Sequence, residues 1–189
     1  LINRALAFRD LDKKANAITD LNRVIELWPT HTRSYFIRAE LYARSGEIEL
    51  AKKDRAKAFA TETSDPVSLL SRGVAYLESG RPKEAIQDFD AVLALEPKSR
   101  DARLNKSAAL ADGLNQLEEA IKILGEVIED YPNCTQAIAG RGVYRARLHQ
   151  RAEAHADAKL ALKTDPTPFI RYQVAGIYAL TSVKHPEDV

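Results

Sequence analysis

The sequence predicts an all-α fold, a solenoid of antiparallel helix pairs, on three observations. A spacing of 34 residues recurs along the chain, apolar positions within each interval fall at steps of three and four, and turn formers and prolines stand where helices should stop. Ala17, Ala51, Ala85, Ala120 and Ala154 lie 34, 34, 35 and 34 residues apart. Val24, Ala58, Val92, Val127 and Ala161 keep the same steps, as do Pro29, Thr63, Pro97, Pro132 and Pro166. A fixed period of this length marks one supersecondary unit repeated, each copy burying its apolar face only against its neighbours. The single step of 35 needs one extra residue near ADGLNQ, residues 111–116, where a turn is expected to absorb it.

The chain then reads as one array over 1–189: a partial repeat 1–31, full repeats 32–65, 66–99, 100–134 and 135–168, and the first helix of a further repeat over 169–189. The repeat beginning at Pro66 shows the elements best. Leu69, Gly73 and Tyr76 form one helical stripe, and Ala85, Phe89 and Val92 a second. Gly80 is placed to end the first helix, Pro82 to sit in the first turn of the second, and Pro97 to stop it. Small residues at Gly73 and Ala85 let two backbones approach, with Tyr76 and Phe89 filling the space on either side. Other repeats depart from this pattern. Arg55 stands in the place of Phe89 and Thr63 in that of Pro97; Ser107 and Leu110 replace Gly73 and Tyr76; His155 and Ala158 lie in the last second helix. Those junctions are expected to pack less well. No second helix follows FIRYQVAGIYAL, residues 169–180, so Ile170, Val174 and Ile177 are expected to be exposed, giving end-to-end self-association or a frayed end.

One charge disturbs the apolar stripe. Arg72 lies three residues after Leu69 and four before Tyr76, on the face the helix should bury, and it recurs in register as Arg4, Arg38, Lys106 and Arg141. An acid recurs as well: Asp20, Asp54, Asp88 and Asp157, with Ile123 in the remaining repeat, each three residues after the small alanine. Neither charge can be buried alone without a cost of roughly several kcal/mol, so the two should meet. Pairing across repeats would set Arg141 against Ile123 and Asp157 against Ala175, whereas pairing within a repeat matches Arg4, Arg38, Arg72 and Arg141 with acids. The second arrangement is favoured, and arginine's planar fork suits it. Arg72 is therefore a structural rung and is left out of any ligand site, while the neighbouring Asp90 is expected to face solvent.

The pattern of Gly73, Tyr76, Gly80, Ala85, Phe89 and Pro97 resembles the tetratricopeptide repeat, and in register the resemblance covers the whole chain. It implies a right-handed superhelix whose first helices line a concave wall that holds a protein or peptide. Residues of the first helices not needed between helices are then the partner-binding candidates: Arg33, Phe36, Ile37, Glu40 and Arg44; Leu70, Ser71, Val74 and Glu78; Asp101, Leu104, Asn105, Ala108 and Asp112; Gln136, Ala139, Val143 and Arg147. One subgroup of the family holds a chaperone's C-terminal carboxylate with a lysine and asparagines. Here Ile2, Phe36 or Leu70 occupies the lysine's place and only Asn105 matches an asparagine, so no such clamp is expected. The closing RYQVAGIYALTSVKHPED is similar to repeat arms of large bacterial proteins, some attached to kinases, which implies an alternative role as a regulatory arm of a larger enzyme.

Composition narrows the function classes. A 45 % hydrophobic and 29 % charged chain of 189 residues is that of a folded protein, and a net charge of +1 gives no general pull toward nucleic acid or an anionic membrane. Residues 1–65 carry 12 basic and 10 acidic side chains, 66–134 carry 8 and 12, and 135–189 carry 8 and 5, so an acidic middle argues against a continuous basic groove. No apolar run reaches the ~18 residues of a membrane span, and the start lacks a secretory core. The lone Cys134 suits a reducing, cytoplasmic setting. The absence of methionine is expected of a fragment cut from a longer chain. No glycine-rich phosphate loop, GxSxG or HExxH occurs, and His31, His149, His155 and His185 are too scattered for a local metal site. No catalytic residue, metal or cofactor is expected.

Overall fold

The computed structural model describes residues 1–182, so His185 lies outside the described residues. The described chain is α-helical, with eleven helices in sequential antiparallel pairs. Its contacts cluster into two compact units, one covering Leu1–Glu96 and the other starting at Pro97. The first unit holds α1 (Ile2–Asp10), α2 (Lys14–Leu27), α3 (Thr32–Arg44), α4 (Ile48–Ala60), α5 (Pro66–Glu78) and α6 (Pro82–Leu95). The second holds α7 (Arg100–Ala108), α8 (Leu117–Asp130), α9 (Thr135–Arg147), α10 (Arg151–Thr164) and α11 (Pro168–Ser182).

The turn inside each pair follows one physical rule. Asp12, Gly46, Gly80, Asn115 and His149 all adopt positive φ, between 55° and 78°. Each lies two residues past the end of a first helix, and their spacing is again 34, 34, 35 and 34. The left-handed residue turns the chain so that a later amide closes on the last helical turn, as Arg81 N does on Tyr76 O at 2.9 Å and Glu47 N on Tyr42 O at 2.9 Å. Glycine does this without Cβ strain and Asn or Asp tolerates it; histidine is the unusual occupant. At the start of α5, Pro66 occupies the first turn and Asp65 accepts from Ser68 N at 2.8 Å.

The extra residue of the 35-residue step is not in the turn, where the sequence places it. It sits inside the first helix as a single π-helical segment, Ala109–Gly113, that continues α7. The turn that follows keeps its three residues, Leu114 to Gln116, as Ser79 to Arg81 do one repeat earlier. Widening one helical turn preserves the left-handed residue at Asn115, which an insertion in the turn would displace.

Packing between paired helices rests on small residues. A Cβ built on Gly73 would fall 2.5 Å from Phe89 Cε1, so the fully buried Phe89 ring lies directly on the α5 backbone. The Tyr76 ring stacks on Phe59 of α4, with centroids 4.7 Å apart. α4 lacks an aromatic at Arg55 and buries only Ala51, Asp54 and Ala58, so Phe59, one turn on, supplies the ring that joins it to α3 and α5. At the other end, Ile170, Val174 and Ile177 are buried, contrary to the sequence expectation. The reason is Ala158: without a ring there, the space over Gly142 is open, and Ile177 Cδ1 would stand 2.7 Å from a Cβ at that glycine. The opposite face of α11 is the exposed one, with Phe169, Tyr172 and Leu180 in solvent.

Candidate functional site

The arginine stripe resolves into ion-pair rungs within repeats. Arg4 donates to Asp20 at 2.7 and 2.6 Å, Arg38 to Asp54 at 2.6 and 2.7 Å, Arg72 to Asp88 at 2.8 and 2.7 Å, and Arg141 to Asp157 at 3.0 and 2.7 Å. Each pair uses Nε and Nη2 against both carboxylate oxygens, the bidentate fork that only arginine offers. The arginines of the later rungs are 15–18 % exposed, whereas Arg4 is 62 % exposed. Two of these arginines have a further acceptor: Arg38 also donates to Asn22 Oδ1 and Arg72 to Thr61 O, both at 2.7 Å. A second guanidinium, Arg145, reaches Asp157 Oδ2 at 2.8 Å, a partner the sequence pattern did not reveal. Its signal was present, since Arg145 stands at the register of Tyr42 and Tyr76.

The first-helix candidates have mixed surroundings. In the first unit, Arg33, Phe36, Glu40, Leu70, Ser71 and Val74 are half-buried, while Arg44 and Glu78 are exposed. Ile37 is buried in the core with Ala5, Leu21 and Leu41. Phe36 meets Phe59 edge to face at 5.2 Å, Arg44 pairs with Glu40 at 2.6 Å, and Ser71 Oγ donates to Val67 O at 2.8 Å. In the second unit Asp101 and Gln136 are exposed and Leu104, Asn105, Ala108 and Val143 half-buried, with Asn105 donating to Asp101 O at 2.8 Å; Ala139 is buried. Arg147 is held: it donates to Asp112 Oδ1 at 2.6 Å and to Ala111 O at 3.2 Å, on the π-helical segment. Tyr144 donates to the other oxygen of Asp112 at 3.2 Å, and burial, then the Asp112 charge, pushes its phenol well above the ordinary tyrosine value.

The remaining titratable groups are dispersed. His31, ahead of α3, shares a hydrogen bond between Nδ1 and Ser34 Oγ at 2.8 Å, and burial lowers its pKa. His149 occupies a left-handed turn, and His155 Nε2 meets Thr181 Oγ1 at 2.7 Å. Cys134 is a half-buried free thiol at the start of α9, and Asp90 is exposed. Among the described residues no group of three His, Cys, Asp or Glu side chains could hold a metal ion, and no helix is long and apolar enough to cross a membrane.

Fold and rungs together define a helix-pair repeat protein. Two family models, each described as tetratricopeptide repeat, match residues 2–59 and 76–141, together well over half of the chain, and the chain belongs to that family. Among relatives, TPR repeat-containing protein YpiA of Bacillus subtilis is 24 % identical over 127 residues, 66 % of this chain and 30 % of its own length. Human tetratricopeptide repeat protein 13 is 30 % identical over 90 residues, 48 % of this chain and 10 % of its own length. The chain thus spans a third or less of these curated relatives. The structure of YrrB, a TPR protein with an unusual peptide-binding site, superposes with a TM-score of 0.66 at 20 % identity, covering 92 % of this chain and 89 % of YrrB. PilW, a type IV pilus biogenesis factor, gives 0.74 at 17 % identity, with 96 % and 86 % covered. The first TPR of Spaghetti (RPAP3), bound to an HSP90 peptide, gives 0.57 at 20 % identity, with 65 % and 97 % covered. At these identities the likeness concerns the fold.

Proposed function

We propose that the chain is a non-catalytic scaffold that holds a polypeptide partner against its first helices. The observation that carries this is the state of α3 and α5, where Leu70, Ser71 and Val74 are only half-buried and Arg33 forms no ion pair among the described residues. Leaving that apolar surface open to water adds nothing to the stability of the fold. An extended or helical segment would cover Leu70 and Val74 and meet the charges of Arg33, Arg44 and Glu78 around them. The peptide-binding character named for YrrB and the peptide-bound RPAP3 repeat support this reading. The ligand is not read as a chaperone C-terminal carboxylate, because Ile2, Phe36 and Leu70 stand where that clamp needs a lysine; tight binding of such a peptide, weakened by Asn105→Ala, would contradict this.

The test is a peptide-display selection on the whole chain, followed by measurement of the enriched peptides against Val74→Arg and Arg33→Glu. Both changes lie at incompletely buried positions, so the fold is retained, and each should weaken binding about tenfold or more. Enriched peptides indifferent to both changes, or no enrichment at all, would refute the reading. A second reading is an arm of a larger protein, for example an enzyme such as a kinase; the small share of each curated relative that the chain spans supports the larger size and not the enzyme.

A further inference from the structure

A cleft of about 350 Å³ opens between α2, α3 and α4, lined mainly by second-helix residues and apart from the first-helix candidates. Its floor is the Arg38 rung, fixed by Asp54 and Asn22 and flanked by the rings of Tyr35 and Tyr42 at 5.7 and 5.9 Å. Ile25, Tyr42 and Leu50 form the walls, with Leu50 43 % exposed. Two charges stand at the lip. Glu26 is engaged by Arg23 at 2.9 Å, whereas the exposed Lys53 has no carboxylate partner among the described residues.

The chain itself shows what fits such a place. Advancing each lining residue by 34 turns Ile25 into Phe59, Arg38 into Arg72, Tyr42 into Tyr76 and Lys53 into Gln87. There the Phe59 ring stacks on Tyr76 at 4.7 Å, and Thr61 O accepts from Arg72 Nη1 at 2.7 Å. One repeat earlier, Ile25 stands in place of that ring, and Ile25 and Tyr42 both line the cleft beside the guanidinium. Three of the five N–H groups of Arg38 are engaged by Asp54 and Asn22. Two therefore remain for a carbonyl.

We propose that this cleft is a second binding site, for a polypeptide segment that lays an aromatic side chain on Tyr42 and sets an adjacent carboxylate against Lys53. The ring takes the place that Phe59 takes one repeat later, contacting Ile25 and Leu50 at its edges. The carboxylate answers Lys53, the lip charge without a carboxylate partner among the described residues, and a backbone carbonyl of the segment can meet the remaining donors of Arg38. The site is distinct from the first-helix face, so the two can be occupied and tested separately.

The experiment uses short fluorescein-labelled peptides with one phenylalanine flanked by two glutamates in a glycine–serine background, together with their glutamine and alanine counterparts. Fluorescence anisotropy on the whole chain should show the Glu-Phe-Glu peptide binding about tenfold tighter than Gln-Phe-Gln, with the alanine peptide not binding. Lys53→Gln should erase that preference. Ile25→Phe, which fills the cleft as Phe59 fills its counterpart, should abolish binding while circular dichroism shows the helices intact. Val74→Arg, on the first-helix face, should leave the affinity unchanged. Absence of binding to the wild-type chain, binding that survives Ile25→Phe, or indifference to glutamate overturns the proposal.

Discussion

Asp88→Ala removes both acceptors of the Arg72 fork and strands a guanidinium whose side chain is 15 % exposed. Breaking a buried pair by deleting one partner costs about 3–5 kcal/mol, because the remaining charge is left without compensation. Two features set this rung at the lower end. Thr61 O still accepts from Arg72 Nη1 at 2.7 Å, and the residual exposure admits some water. The expected loss is therefore about 3 kcal/mol. The protein contains its own control, since Arg4 forms the same fork with Asp20 but is 62 % exposed, and Asp20→Ala leaves its arginine to the solvent at a small fraction of that loss. Replacing both partners, Arg72→Leu with Asp88→Leu, should recover most of the stability, because no charge remains to be desolvated. Urea unfolding followed by far-ultraviolet circular dichroism measures the global change. Hydrogen exchange of the α5 and α6 amides measures the local one, which matters because repeat arrays open in segments. If Asp88→Ala and Asp20→Ala prove equally mild, burial does not set the energetics of the rungs and the argument fails.

Gly73→Ala would drive a methyl group to within 2.5 Å of Cε1 of the fully buried Phe89, and the midpoint of urea unfolding should report a loss of about 1–3 kcal/mol. A methyl group added at Gly80 would meet nothing within 4 Å, but φ there is +69°, so Gly80→Ala should cost about 1–2 kcal/mol through backbone strain alone. Gly80→Asn should cost less in the same assay, since Asn115 already serves the equivalent turn. Burial lowers the pKa of His31, so the unfolded chain binds its proton more readily than the folded one. The stability it contributes is present above the unfolded value near about 6.5 and is lost as the pH falls. Thermal midpoints at neutral and mildly acidic pH should diverge in the wild type and converge in His31→Asn.

How the sequence divides from the structure is clearest at the rungs. Repetition of Arg4, Arg38, Arg72 and Arg141 against Asp20, Asp54, Asp88 and Asp157 disclosed both the helix pairs and the partners, because a charge on an apolar stripe must be neutralised locally. The turns were half legible: Gly80 announced a left-handed residue, while Asp12, Asn115 and His149 carry the same conformation without glycine, and only their spacing marks them. For the candidate first-helix positions, sequence supplied the face but not the surroundings. Whether Phe36 or Arg147 is free depends on Phe59 and Asp112, residues distant in the chain that meet them only after folding.

Local periodicity and residue size by themselves determined the helix-pair repeat, the close approach at Gly73 and the bidentate rungs, since each follows from steps of three, four or 34 residues along the chain. Tertiary structure alone decided where a misfit is absorbed. The 35-residue step became a π turn at Ala109–Gly113, a missing ring at Arg55 was answered by Phe59, and the small Ala158 was answered by Ile177. In each case close packing admits neither a void nor an overlap, and which neighbour moves to satisfy it is a property of the assembled helices.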